Sequence, residues 1–184
     1  MCGNDGVRTE PNSYFQKMIE LDQFEIKYEW VPVLRAPNET YCYPGGMPTF
    51  FVQTYLPPAI YRWAFFKNSP TPYRAYIGEA DSLSQRVRGY LWPGATQQTN
   101  LRMKTELEDG IQAGARIELQ VVKFRPFVIN SVQVTESSLH IGPVRKFLEQ
   151  FLIADCDQIH CELLNAKQNP IERRLRKAVA GSEK

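Results

Sequence analysis

The stretch from Ala59 to Tyr90, AIYRWAFFKNSPTPYRAYIGEADSLSQRVRGY, decides the fold. Ile60 to Phe66 is apolar and aromatic, the composition of a buried strand. Lys67-Asn68-Ser69-Pro70-Thr71-Pro72 is a turn by composition, and Tyr73 to Ile77 is the return strand, so the segment predicts a β-hairpin. Ser82-Leu83-Ser84-Gln85 then has the pattern of a capping box, with Ser82 at the N-cap and Gln85 at the third helical position. The helix it opens should run to about Leu91 and stop before Trp92-Pro93-Gly94. Arg86 and Tyr90 stand four residues apart on it and share a face.

Downstream of this block, a second helix is expected from about Asn100 to Gln112. Arg116 to Phe124 alternates apolar and polar residues and supplies a third strand for the core sheet, and Phe127 to Val134 adds another. Pro143 suits a first helical position; from there Val144, Phe147, Leu148, Phe151 and Leu152 recur at helical spacing, with Glu149 beside that stripe. Asn169-Pro170-Ile171-Glu172 starts a last helix that ends near Gly181. Its apolar side is Ile171, Leu175 and Val179, and its other faces carry Arg173, Arg174, Arg176 and Lys177.

Upstream, residues 1–12 are polar and Gly-rich, and Ser13 to Leu21 fits a short helix. Phe24, Ile26, Tyr28 and Trp30 alternate with charged residues as in a strand with one buried face. Ala36 to Pro48 reads as a loop and Thr49 to Leu56 as a strand, before Pro57-Pro58 punctuates the chain. The fold class is therefore α/β of the α+β kind: a small three-stranded core sheet flanked by helices. Residues 170–184 form a basic C-terminal helix, and the whole chain reads as one domain.

The bulk properties set bounds. A chain of 184 residues with 43% hydrophobic and 23% charged residues is long enough to bury a core as one domain. No run approaches the ~18 apolar residues of a membrane span, and the N-terminus lacks the apolar segment of a secretory signal. A cytoplasmic protein with its four cysteines reduced is the expectation. A net charge of +2 neither suggests nor excludes nucleic acid, so the placement of the charge matters more than its sum. Cys156, His160 and Cys161, with Cys42 as a fourth, fit no standard zinc spacing.

Ala59-Ile60-Tyr61, then Tyr76-Ile77-Gly78, then Arg86 on the following helix with Tyr90 one turn on, and later Glu149 in Phe147-Leu148-Glu149-Gln150-Phe151-Leu152-Ile153 form an ordered set. That set resembles the GIY-YIG nuclease superfamily over about residues 57–170, with Ala59 where the family usually has glycine; the resemblance makes residues 1–56 an N-terminal extension wrapped on the core and places an insertion near 125–142. Either tripeptide alone is nearly worthless as a signal; the ordered set is specific.

The resemblance implies a small mixed sheet carrying the two tripeptides on adjacent strands. It implies a site of Tyr61, Tyr76, Arg86, Tyr90 and Glu149, with Glu149 holding magnesium (or manganese). An asparagine after the Glu149 helix completes the pattern, and Asn165 and Asn169 compete for that place.

The residue types suit the chemistry. Hydrolysing a phosphodiester needs a positioned water, a base or metal to sharpen it, and positive charge where negative charge develops. Magnesium needs few protein ligands, and a guanidinium grips phosphate bidentately. The implied activity is magnesium-dependent cleavage of double-stranded DNA, with Arg88, Arg102, Arg173, Arg174 and Lys177 as further DNA contacts. A type II restriction endonuclease acting as a homodimer leads, because palindromic sites favour two-fold symmetry. A phage or repair nuclease of the same fold is the rival, and a non-catalytic DNA-binding module the alternative from a different class.

Overall fold

The computed structural model describes residues 25–129, 131–157 and 161–165. The helix expected over Ser13–Leu21, the start of the strand at Phe24 and the basic helix from Asn169 onward lie outside the described residues. In chain order the elements are β1 (Tyr28–Pro32), β2 (Leu34–Ala36), β3 (Glu39–Thr40), α1 (Thr49–Thr54), β4 (Ala59–Phe66), β5 (Arg74–Ala80) and α2 (Leu83–Leu91). Then follow α3 (Gln98–Gln112), β6 (Arg116–Phe124), β7 (Phe127–Ile129), β8 (Val132–Val134), a 3₁₀ turn over Glu136–His140, α4 (Gly142–Asp157) and β9 (Glu162–Leu163).

β4 is the middle strand of a five-stranded sheet with order β1-β6-β4-β5-β9. It pairs antiparallel with β5 on one side and with β6 on the other. Flanked by strands and covered on both faces, it leaves only Ala59 and Arg62 partly accessible, which is why its sequence is nearly continuous in apolar residues. Because side chains alternate along a strand, Tyr61, Trp63 and Phe65 point to one face and Ile60 to the other. The first face packs on Phe51 of α1, Leu83, Val87 and Tyr90 of α2, and Met103 and Leu107 of α3. The second packs Ile60, Ala75 and Ile77 on Leu148, Leu152 and Cys156 of α4. Burying each such large apolar side chain contributes about 1.5–3 kcal/mol, so the two clusters fix α1–α3 on one side of the sheet and α4 on the other.

Several expectations are corrected. The sheet has five strands rather than three, since β1 adds antiparallel to β6 and β9 adds parallel to β5. The N-terminal strand is therefore part of the main sheet. Thr49 to Leu56 is not a strand; its first six residues form α1. Pro48 precedes the helix with φ of −66°, and one turn seats Phe51 against Tyr41 and Tyr55 at ring separations of 4.8 and 5.2 Å. That packing overrides the strand propensity of Thr-Phe-Phe-Val. Phe127 to Val134 is a separate two-stranded hairpin, β7 paired with β8.

The stripe on α4 is rotated from the one expected. The buried residues are Arg145, Leu148, Leu152 and Cys156, while Phe147 stands 43% exposed. The helix turns inward to satisfy a buried arginine as well as its leucines. Among the described residues no helix is long and apolar enough to cross a membrane.

Candidate active site

Tyr61 of β4 lies opposite Gly78 of β5 in the ladder. A Cβ on Gly78 would meet the Tyr61 Oη at 2.5 Å and Cζ at 2.7 Å, so glycine is required there for the tyrosine ring to lie across β5. The tyrosine hydroxyl thereby reaches Tyr90 of α2, Oη to Oη 2.6 Å. Arg86, one turn earlier on α2, donates its Nε–H to the same Tyr61 hydroxyl at 3.1 Å and lays its guanidinium 4.8 Å from the centre of the Tyr90 ring. Tyr76 completes an aromatic triangle with ring centres 6.4 Å from Tyr61 and 6.3 Å from Tyr90. Four of the expected residues, Tyr61, Tyr76, Arg86 and Tyr90, are therefore brought together.

α2 starts at Leu83 with Ser82 at its N-cap, as the sequence indicated, but the capping box is not formed. Instead the Ser84 N–H donates to the Tyr55 carbonyl at the end of α1, 2.9 Å away. An orphan amide of the helix start is thus satisfied by the neighbouring helix.

Arg86 borders a pocket of about 420 Å³ that Glu79, Asp81, Ser82, Gln97 and Asn100 also line. The tyrosine hydroxyls are behind the guanidinium, not on the pocket wall: Tyr61 is wholly buried. Burial holds the Tyr61 phenol above its ordinary pKa, with the Tyr76 hydroxyl adding to the rise and Arg86 and Tyr90 opposing it. Tyr90 is raised by the same burial. Both phenols are accordingly neutral near pH 7. Burial opposes the Arg86 charge, but the oxygens of Tyr61 and Tyr90 outweigh it and hold the guanidinium firmly protonated.

Glu149 enters from the other side of the sheet on α4. It is half-buried, and its pKa is raised first by burial and next by the charge of Glu79. Hydrogen bonds from Gln150 and the Glu79 backbone, and the charge of Arg86, pull the other way. The fifth expected residue thus shares the neighbourhood of Arg86 and Glu79. Asn165 takes a different place. Its Oδ1 accepts from the Ile77 N–H at 2.8 Å and its Nδ2 donates to the Ile77 carbonyl at 2.6 Å. The amide continues the β9 ladder like a peptide group and braces the second tripeptide. Asn169, Arg173, Arg174 and Lys177 lie outside the described residues. Arg88 is exposed on α2. Arg102 is half-buried, with its Nε and Nη2 shut away from solvent, so it is a poorer phosphate contact than its charge suggests.

Three residues near the site had no place in the sequence argument. Asn100 of α3 accepts from Arg86 Nη1 at 3.3 Å. Glu79 follows the second tripeptide directly and accepts from Arg145 Nε at 2.7 Å. Arg145, only 4% exposed, also reaches Asp81 and the Leu139 carbonyl. The usable signal was polarity out of place. Asn100, Met103, Leu107 and Gly110 form a helical stripe with one amide in it, and Arg145 falls on the stripe of Leu148 and Leu152. Among the described residues no group of three or more His, Cys, Asp or Glu side chains is arranged to hold a metal. Compared with family models, curated proteins and solved structures, the chain matches none.

Proposed function

We propose that this chain is a metal-dependent endodeoxyribonuclease of the GIY-YIG kind, and among those a site-specific type II restriction endonuclease. The observation that carries this reading is the Arg86 guanidinium on a pocket wall, hydrogen-bonded from behind to the hydroxyl of Tyr61, with Tyr76, Tyr90 and Glu149 around it. Those residues come from β4, β5, α2 and α4 in the order that the resemblance implies. The contiguous antiparallel strands β6, β4 and β5 are consistent with its core.

The donor chemistry fits a magnesium or manganese ion. Burial and the Glu79 charge both disfavour a bare Glu149 carboxylate, and a hard divalent cation would relieve that cost. Glu149 would hold it with waters filling the remaining positions, and the cation when bound would act as a Lewis acid on the phosphate and sharpen a water. The chain's own groups do the rest. Arg86, with Nε on Tyr61 and Nη1 on Asn100, offers Nη2 to the scissile phosphate and meets the charge that develops there. Tyr61 and Tyr90, neutral and buried, keep the guanidinium from turning away. Arg88 and the 65% exposed Trp92 extend from the same helix and its end toward the duplex. A homodimer would present two such sites to a palindrome.

The test is incubation of the purified chain with supercoiled plasmid, with and without magnesium. Discrete, reproducible fragments only with magnesium are expected. A smear would move the reading to a phage or repair nuclease. A plasmid shifted in a gel but left intact would leave a DNA-binding module.

A further inference from the structure

Arg86 is held at two points, and the second is a neutral side chain. Its Nη1 donates to Asn100 Oδ1, while the Asn100 Nδ2 donates to Gln97 Oε1 at 2.9 Å. The Gln97 oxygen also accepts from the Gly94 N–H at 3.1 Å. This chain of donors fixes the orientation of both amides. Gln97 must present oxygen to Gly94, so it takes a donor from Asn100, and Asn100 then presents its own oxygen to Arg86. The packing around it is equally particular. Asn100 is buried on the stripe of α3 that otherwise carries Met103, Leu107 and Gly110. A Cβ on Gly89 of α2 would stand 2.9 Å from the Asn100 Nδ2, so only glycine lets α3 bring the amide this close. A buried amide on an apolar stripe is costly unless it is satisfied, and here its satisfaction runs through Arg86.

We propose that Asn100 is a positioning residue that aims Arg86 into the pocket without neutralising it, an inference that rests on the nuclease reading above. An acceptor is needed on Nη1 to stop the guanidinium rotating about its stem. A carboxylate there would orient it too, but would form an ion pair and take away the charge meant for phosphate. An amide oxygen supplies the geometry and leaves the full positive charge. Asn100→Asp is therefore informative beside Asn100→Ala: both lose the donor to Gln97, and only Asp keeps an acceptor on Nη1 while adding a charge.

The experiment compares wild type, Asn100→Ala and Asn100→Asp on a labelled duplex, reading the single-turnover rate and the duplex Kd separately. Asn100→Ala should lower the rate by about 10²-fold, the cost of a misaimed group, with Kd changed less than about 2-fold. Asn100→Asp should lower the rate at least as far and weaken duplex binding as well. Thermal melts accompany the rates. A wild-type rate in either variant would overturn the proposal. A second readout needs no cleavage: nitrogen-15 spectra of arginine-labelled protein, with the Arg86 signals assigned by their loss in Arg86→Lys. Separate, slowly exchanging Nη signals in wild type that collapse in Asn100→Ala support the positioning role. Identical spectra in the two proteins would overturn it even if the chain cut no DNA, an outcome that would independently remove the nuclease reading.

Discussion

A guanidinium that lines a pocket with its tyrosines buried behind it makes Arg86 and Tyr61 separable by experiment. Arg86→Ala removes the charge at the pocket wall. Cleavage should fall by about 10²–10³-fold, the usual cost of one electrostatic donor, while duplex binding largely survives. Near-normal turnover in gel-based single-turnover assays would take Arg86 out of the site. Tyr61→Phe removes only the hydroxyl that Arg86 and Tyr90 share and keeps the ring that fills the core. Two buried polar groups then lose a partner, which costs about 1–3 kcal/mol, so the melting temperature should drop modestly and the rate should drop with it. A rate equal to wild type would mean that the hydroxyl is a packing feature. At this scale the sequence was legible where spacing spoke. The two tripeptides face each other in the ladder because Tyr61 and Gly78 are paired, and Arg86 and Tyr90 share a helix face as four-residue spacing requires. Asn100 was not legible, because one amide in a helix has no pattern until the opposite helix is in place.

Element bounds mostly followed the sequence pattern, and misread faces came from tertiary partners. β6 has the bounds its alternation predicts, and β4 differs from expectation by one residue. α1 was hidden by strand-prone residues that pack better as one helical turn. α4 shows the limit of a hydrophobic stripe: Arg145 claimed a buried place that apolar counting gave to Phe147. That rotation also matters for Glu149, four residues beyond Arg145. The raised pKa of Glu149 means that the metal-free fold holds this proton more tightly than the unfolded chain does. Its contribution to stability is present at acid pH and is lost as pH rises through the raised value. A cation binds the ionised form, so the two effects oppose each other. Magnesium should raise the melting temperature at mildly alkaline pH, and the increment should shrink as pH falls through a range above that of an ordinary glutamate. Glu149→Gln, which is isosteric, should melt like the protonated protein and lose the magnesium increment at every pH. An undiminished increment in that variant, followed by scanning calorimetry, would count against Glu149 as the metal carboxylate.

Across the whole molecule, the proposed site exists only where two layers meet. Arg86 belongs to the α1–α3 side of the sheet and Glu149 to the α4 side, and β5 runs between them. Arg145 is a polar tie between α4 and the sheet, joining α4 to Glu79 and Asp81 at the end of β5 and to the Leu139 carbonyl before α4. Asp81 is largely exposed, so its share is weak. Glu79 is three-quarters buried and faces Arg145 as a shielded ion pair. Removing one partner of such a pair strands the other charge, which typically costs about 3–5 kcal/mol. Arg145→Met should therefore destabilise by about that amount in denaturant unfolding. It should also tighten magnesium binding, because an unpaired Glu79 carboxylate beside Glu149 adds to the negative charge that a cation relieves. Glu79→Gln in the Arg145→Met background removes the stranded charge, so most of the lost stability should return and the tighter magnesium binding should be reversed. A double variant as unstable as the sum of the two single ones would show that Arg145 and Glu79 act independently, and α4 would then be held to the sheet by its apolar contacts and by other polar ones such as Tyr28 with Asp155.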